Sequence, residues 1–287
     1  MNPLYDLFKG NADFIKYVPG ISANLELNEL SSSSISARKQ IRNIITNDLW
    51  NEIKNEENTD ARLYLANAFG NLTMHKAIIF NVLSQRMSGT GEVYKYELET
   101  MRRQYIDNYF NAMDSLIQEL SENDKYAKKW KETTDFKLLD ELEIKTTTEF
   151  NSYYGIDMSY LFFFRSIFLQ REILTDGLSD IFKKASERPE LIKKLKFALA
   201  QLVVALALSR FDIIELPATI RSLFDEQKTS RSGSDEQRRI LALADELRQS
   251  ATGAISSVEI ALSDPDTSNI SSQTSFNKPT DKIYLIS

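Results

Sequence analysis

The sequence predicts a mainly α-helical protein: two tandem three-helix modules with short β-hairpin or extended arms and a C-terminal extended tail. Three observations lead there. Only 9 Gly and 6 Pro punctuate 287 residues, which favours long helices over many tight turns. Apolar residues recur at i, i+3, i+4 spacing over most of the chain. One order of segments is also stated twice. Asp13-Phe14 reads through Pro19-Gly20-Ile21 into a helix carrying Ile44-Ile45-Thr46-Asn47-Asp48-Leu49. Glu149-Phe150 reads through Tyr154-Gly155-Ile156 into one carrying Ile173-Leu174-Thr175-Asp176-Gly177-Leu178. The partners lie roughly 130 to 142 residues apart, the span of one ordinary domain. The resulting division is 1–124 for the first module, 125–148 for a connector, 149–264 for the second module and 265–287 for a flexible tail.

In the first module, Asn11 or Asp13 caps a brief helix that Pro19-Gly20 ends. Ser31 to Ser34 form either a loop or a helix start, their hydroxyls able to accept from first-turn amides. A stripe of Ile35, Ile41, Ile44, Ile45, Leu49 and Ile53 then predicts one helix up to the polar break at Asn55–Asn58. Thr59 or Asp60 caps the next, whose Ala66, Ala68 and Gly70 permit close approach of another element. Ile79 to Leu83 and Val93 to Tyr96, around Ser88-Gly89-Thr90-Gly91, have a hairpin pattern, although Tyr94 to Tyr96 also suit the start of the following helix. That helix closes the module with Leu98, Met101, Tyr105, Tyr109, Met113, Leu116 and Leu120 on one face.

Trp130 and Phe136 mark the connector as packed. The second module opens on Tyr153, Tyr154, Tyr160, Phe162, Phe163, Phe164 and Phe168, a density of rings that requires burial on several sides. A helix from about Glu190 to Arg210 follows, with Pro189 in its first turn. Setting Leu63 against Leu195 aligns Ala66 and Ala68 with Ala198 and Ala200. Phe211 to Phe224 reads as two short strands or an extended arm, and Asp235 to Leu262 as the last helix. Beyond Asp264-Pro265-Asp266 the composition turns to Ser, Thr, Asn and Gln, too polar to fold alone. The terminal β-prone run Ile283, Tyr284, Leu285 and Ile286 is the candidate partner-binding segment, suited to adding a strand to a neighbouring sheet. An edge strand on its own chain is the competing reading.

The composition excludes several chemistries. There is no cysteine, hence no disulfide, thiolate metal site or cysteine nucleophile. The single histidine, His75, falls within an apolar-periodic helix, where a hydrogen-bonded structural role is the expectation. No metal-ligand spacing, phosphate-cradling glycine loop or nucleophile turn is present. We therefore expect no enzyme, no catalytic residues, no metal and no cofactor. The net charge of −6 lacks the cationic excess that dominates general nucleic-acid affinity. No apolar run reaches the ~20 residues of a membrane span, and no signal peptide is visible.

The order of elements in Phe14 to Ile21, Ile41 to Ile53, Ala61 to Ile79 and Tyr96 to Leu120 resembles the head–tail adaptor proteins of tailed bacteriophages. The same holds for the echoes at Phe150 to Ile156, Ile173 to Phe182, Leu191 to Leu208 and Ile240 to Leu262. The order resembles in particular that of the two-repeat neck ring proteins of crAss-like phages. The resemblance implies a structural virion protein, assembled as a homo-oligomeric and commonly dodecameric ring in the phage neck. Its implied partners are the portal protein and other neck or tail proteins, with genomic DNA passing through without specific binding and no membrane involved. It implies a location in the virion neck, and in the host cytoplasm before assembly. A cytosolic helical scaffold or regulatory interaction protein is the alternative.

Overall fold

The computed structural model describes residues 2–21, 25–88, 95–212, 215–222 and 233–263, and among these every regular element is a helix. After a 3₁₀ turn at Pro3–Asp6, α1 (Asn11–Tyr17) buries Phe14 and ends before Gly20, whose φ of 76° lies in the left-handed region that glycine enters most readily. A second 3₁₀ turn, Leu27–Leu30, runs directly into α2 (Ser31–Ile45). No side chain caps α2. The serines expected to do so turn elsewhere: the Ser34 hydroxyl donates to the Ser31 carbonyl at 2.7 Å.

The single helix expected over Ile35 to Ile53 is broken. Thr46 takes a φ of 73° and separates α2 from α3 (Asn47–Lys54). Leu49 and Ile53 beyond that turn face the core as Ile41 and Ile45 do before it, while Ile35 is exposed on the outer face of α2. Thr59 caps α4 (Asp60–Ser88) by accepting from the Arg62 amide at 3.3 Å. Ile79–Leu83, expected as a hairpin strand, continues α4, and Lys95 and Tyr96 already belong to α5 (Lys95–Glu122). No glycine or proline stands between Gly70 and Gly89, and extending a formed helix costs less than starting a strand there. Residues 89–94 lie outside the described part.

α6 (Asp124–Lys131) and α7 (Thr134–Leu138) make the connector, capped by Asn123 and Thr133 respectively. α8 (Thr147–Tyr153) buries Phe150. α9 (Tyr160–Ile173) runs through a π turn at Leu174–Leu178, where Gly177 has a φ of 116°, into α10 (Ser179–Lys184). α11 (Pro189–Arg210) pairs with α13 (Gly233–Ser263), as α4 pairs with α5. The short α12 (Ala218–Ser222) stands where an extended arm was expected.

Burial along α4 recurs along α11. Ala61, Leu65, Ala68, Phe69, Thr73, Ala77 and Ile78 are buried in the first. Leu191, Leu195, Ala198, Leu199, Val203, Ala207 and Leu208 are buried at the same steps in the second. In that register Leu65 falls at Leu195, whereas Leu63, the residue set against Leu195 in the sequence, is exposed; apolar identity alone does not separate an inward Leu from an outward one.

The apolar interior runs without interruption from Leu4 to Val258. Trp130 of α6 joins the halves, its ring 5.0 Å from Phe164 and 6.4 Å from Phe136. Phe162, Phe163 and Phe164 are buried as their ring density demands, while Phe168 is half-exposed beside Phe211 at 6.0 Å. Asp114 of α5 fixes the start of α9, accepting from the Leu161 amide at 2.7 Å and the Ser159 hydroxyl at 3.1 Å.

Candidate functional site

A cleft of about 340 Å³ with a largely polar lining opens where α2, α4, α5 and α9 meet. Helical spacing assembles it. Leu72, His75 and Lys76 stand at i, i+3 and i+4 on α4, and Arg102, Ile106, Tyr109 and Phe110 share a face of α5. Ser32, Ser33 and Ser36 bring hydroxyls from the first turns of α2, and Arg165 enters from α9. Glu215, ahead of α12, contributes the one carboxylate lining the cleft among the described residues.

The polar groups are unequally satisfied. Arg165 is engaged: it meets Glu215 at 3.1 Å and lies 5.0 Å over the Phe211 ring. Among the described residues Lys76 makes no hydrogen bond or ion pair. Its desolvation draws its pKa below the ordinary lysine value, and the charge of Glu215 only partly opposes that. The Arg102 Nε is enclosed without a partner. The hydroxyl of Tyr109, a residue 1% exposed, likewise makes no hydrogen bond, although the Gln40 side chain lies near enough to favour its charged form slightly. Burial pushes this phenol well above its ordinary range, so it is present as a neutral donor.

His75 is 7% exposed and its Nδ1 lies 3.0 Å from the Arg102 carbonyl oxygen. A carbonyl only accepts, so Nδ1 carries the proton and Nε2 is left as an acceptor in the neutral ring. Burial holds its pKa below the ordinary value and outweighs the carbonyl contact, which favours the charged form. The ring is hydrogen-bonded, as expected from the sequence, and it lines the cleft.

The terminal segment Ile283, Tyr284, Leu285 and Ile286, expected to bind a partner, lies outside the described residues. Sequence reasoning did not single out Lys76, Arg102, Tyr109 or Arg165. One signal was available for the first: Lys76 is the only charged residue from Leu63 to Gln85, adjacent to the only histidine. Nothing local marked the other three, which reach the cleft through tertiary packing. Among the described residues no three His, Asp or Glu side chains gather as a metal site, and no helix is long and apolar enough to cross a membrane. A second, more apolar groove of about 550 Å³ runs beside Phe197, Tyr153 and Ala254, flanked by Lys193 and Lys194. No protein-family profile, curated protein sequence or solved structure matches the chain.

Proposed function

We propose that the chain consists of two tandem helical modules, 1–124 and 149–264, joined by the connector 125–148, and that it is a non-enzymatic structural protein. On this reading it forms a ring in the neck of a tailed bacteriophage, joins portal to tail and lets the genome pass. The observation that carries it is the recurrence of one arrangement. A seven-residue helix with a buried Phe is followed by a helix broken at a positive φ, then by a long antiparallel pair: α1 to α5 first, α8 to α13 second. A module repeated without a repeated reactive cluster suits assembly better than catalysis.

Two further features support it. Phe80, Phe168, Phe197 and Ile260 are exposed on helix faces and supply apolar contact area for neighbouring copies. The net charge of −6 withholds the cations that would make a channel wall grip passing phosphates. The terminal Ile283–Ile286 is the proposed strand-adding contact to a portal or tail protein.

Measuring mass in solution, with and without the portal protein, tests the assembly. A closed ring of many copies, formed alone or on contact with portal, is the expected result. A particle that stays monomeric or dimeric in both conditions rejects the ring and favours the cytosolic scaffold. Deleting 282–287 is expected to weaken attachment to the neighbouring protein and leave helical content and cooperative melting unchanged.

A further inference from the structure

We propose that the cleft between α2, α4, α5 and α9 binds a small phosphate ester, held by Lys76 and Arg102, by the hydroxyls of Ser32 and Ser33, and by the Tyr109 hydroxyl at its floor. The argument begins with what the fold leaves unsatisfied. A buried donor without a partner is rare in native proteins and calls for an explanation. Here two such donors, Tyr109 Oη and Arg102 Nε, border one cavity. Lys76, half-buried and unpaired among the described residues, borders the same cavity. Each disfavours the free protein; an oxyanion in the cleft meets Lys76 directly, and the two enclosed donors join it as the walls adjust around it.

Charge sets the sign of the ligand. Glu215 would repel an anion, but it pairs with Arg165 at 3.1 Å, and the described lining sets three cations, Lys76, Arg102 and Arg165, against that one carboxylate. The first turns of α2 add the favourable end of a fifteen-residue helix dipole. Size and lining select an ester over a bare ion. A volume of about 340 Å³ exceeds what one phosphate fills, and Ile106, Phe110 and the exposed ring of Phe80 give an apolar wall for an organic body.

The second long helix supplies an internal comparison. In the burial register that places Leu65 at Leu195, the positions of His75 and Lys76 are taken by Ala205 and Leu206. The helical pairing is built there without a cation, so packing alone does not require Lys76. Arg165 and Glu215 come from the second half of the chain, so the ligand would also bridge both halves.

Calorimetric titration of the full chain in low-chloride buffer tests this with three probes: phenyl phosphate, inorganic phosphate and benzoate. Saturable one-to-one binding of phenyl phosphate is expected, at least fivefold tighter than inorganic phosphate. Lys76→Met and Arg102→Met should each weaken it at least tenfold, Tyr109→Phe severalfold, and Lys183→Met, on the exposed surface of α10, not at all. Lys76→Met should also melt at a higher temperature than the wild type without ligand, because it removes a costly unpaired charge. That gain is a readout that a merely structural lysine would not give. Equal affinity in Lys76→Met and Lys183→Met, no saturable binding by the wild type, or tighter binding of benzoate than of phenyl phosphate each overturns the proposal.

Discussion

Asp114 is the residue at which the fold's electrostatics are most exposed to experiment. It sits largely buried at the start of α9, and burial raises its pKa to about 6 from an ordinary 3.8, against the Leu161 amide and Ser159 hydroxyl bonds that favour the charged form. The folded protein therefore binds this proton more tightly than the unfolded chain does. Between about pH 4 and 6 stability falls as pH rises, and above 6 the full penalty is present, on the order of 2–3 kcal/mol. Asp114→Asn keeps an oxygen for both donors and removes the charge. We expect it to melt above the wild type at pH 7.5 and level with it near pH 4. A wild-type-like difference at both pH values would show that the helix terminus fully supports the carboxylate. Gln170 offers a second test without charge. Its buried amide accepts from the Ile144 amide at 2.9 Å and donates to the Ile144 carbonyl at 3.1 Å, pinning the approach to α8. Gln170→Met preserves volume but leaves both backbone groups unpaired, at a cost of about 2–4 kcal/mol measured by denaturant unfolding. A loss below 1 kcal/mol would mean that water replaces the clamp.

At the scale of elements, close approach decides the packing of α1 on α4. A Cβ at Gly70 would lie 2.5 Å from Val18 Cγ2 and 3.3 Å from the Phe14 ring. Gly70→Ala is therefore expected to destabilise by about 1–3 kcal/mol despite alanine's better helix propensity, and a stabilised variant would mean that α1 can shift outward. The opposite experiment falls on α9, where Phe163→Asp would bury an unpaired charge and cost several kcal/mol. Both elements were readable in the sequence, since small residues in α4 announced a close neighbour and clustered rings announced burial. The breaks were less readable. Thr46 carries a positive φ that its side chain does not advertise, and Ile44-Ile45-Thr46-Asn47-Asp48-Leu49 keeps an apolar rhythm straight across it. The strands expected at Ile79–Leu83 and near Thr219 followed β-prone residue types, and helix continuation overrode those preferences in the described residues. The cleft was hidden for a different reason. Its cations come from three helices distant in sequence, and only their packing shows that Lys76 and Arg102 lack the carboxylates that usually accompany buried charge.

For the whole molecule, one apolar interior spans both halves of the chain. The sequence suggested modules separated by a connector, and the connector is itself packed: Trp130 is 1% exposed and its ring meets Phe164 of α9. Asp114 ties α5 to α9, Arg165 with Glu215 closes the cleft, and Arg221 pairs with Asp107 of α5 from the far half. Unfolding one half would strip these partners from the other and expose Trp130, Phe136 and Phe164 together. Cooperative units follow contiguous buried contacts more than sequence boundaries, so the two halves should unfold as one. The two tryptophans allow the test. Trp50 reports on the first half, 5.2 Å from Phe69 with its ring edge-on, and Trp130 on the junction. In Trp130→Phe the remaining fluorescence comes from Trp50, and in Trp50→Phe from Trp130. Within each variant, fluorescence and far-ultraviolet circular dichroism should trace superimposable melting curves, the first signal local and the second averaged over all helices. Both variants will melt below the wild type, since each trims a filled core, but comparison within one variant is insensitive to that loss. Two resolved steps in the dichroism of Trp130→Phe, with Trp50 following only one, would separate the halves thermodynamically and make the shared interior a contact between independent modules.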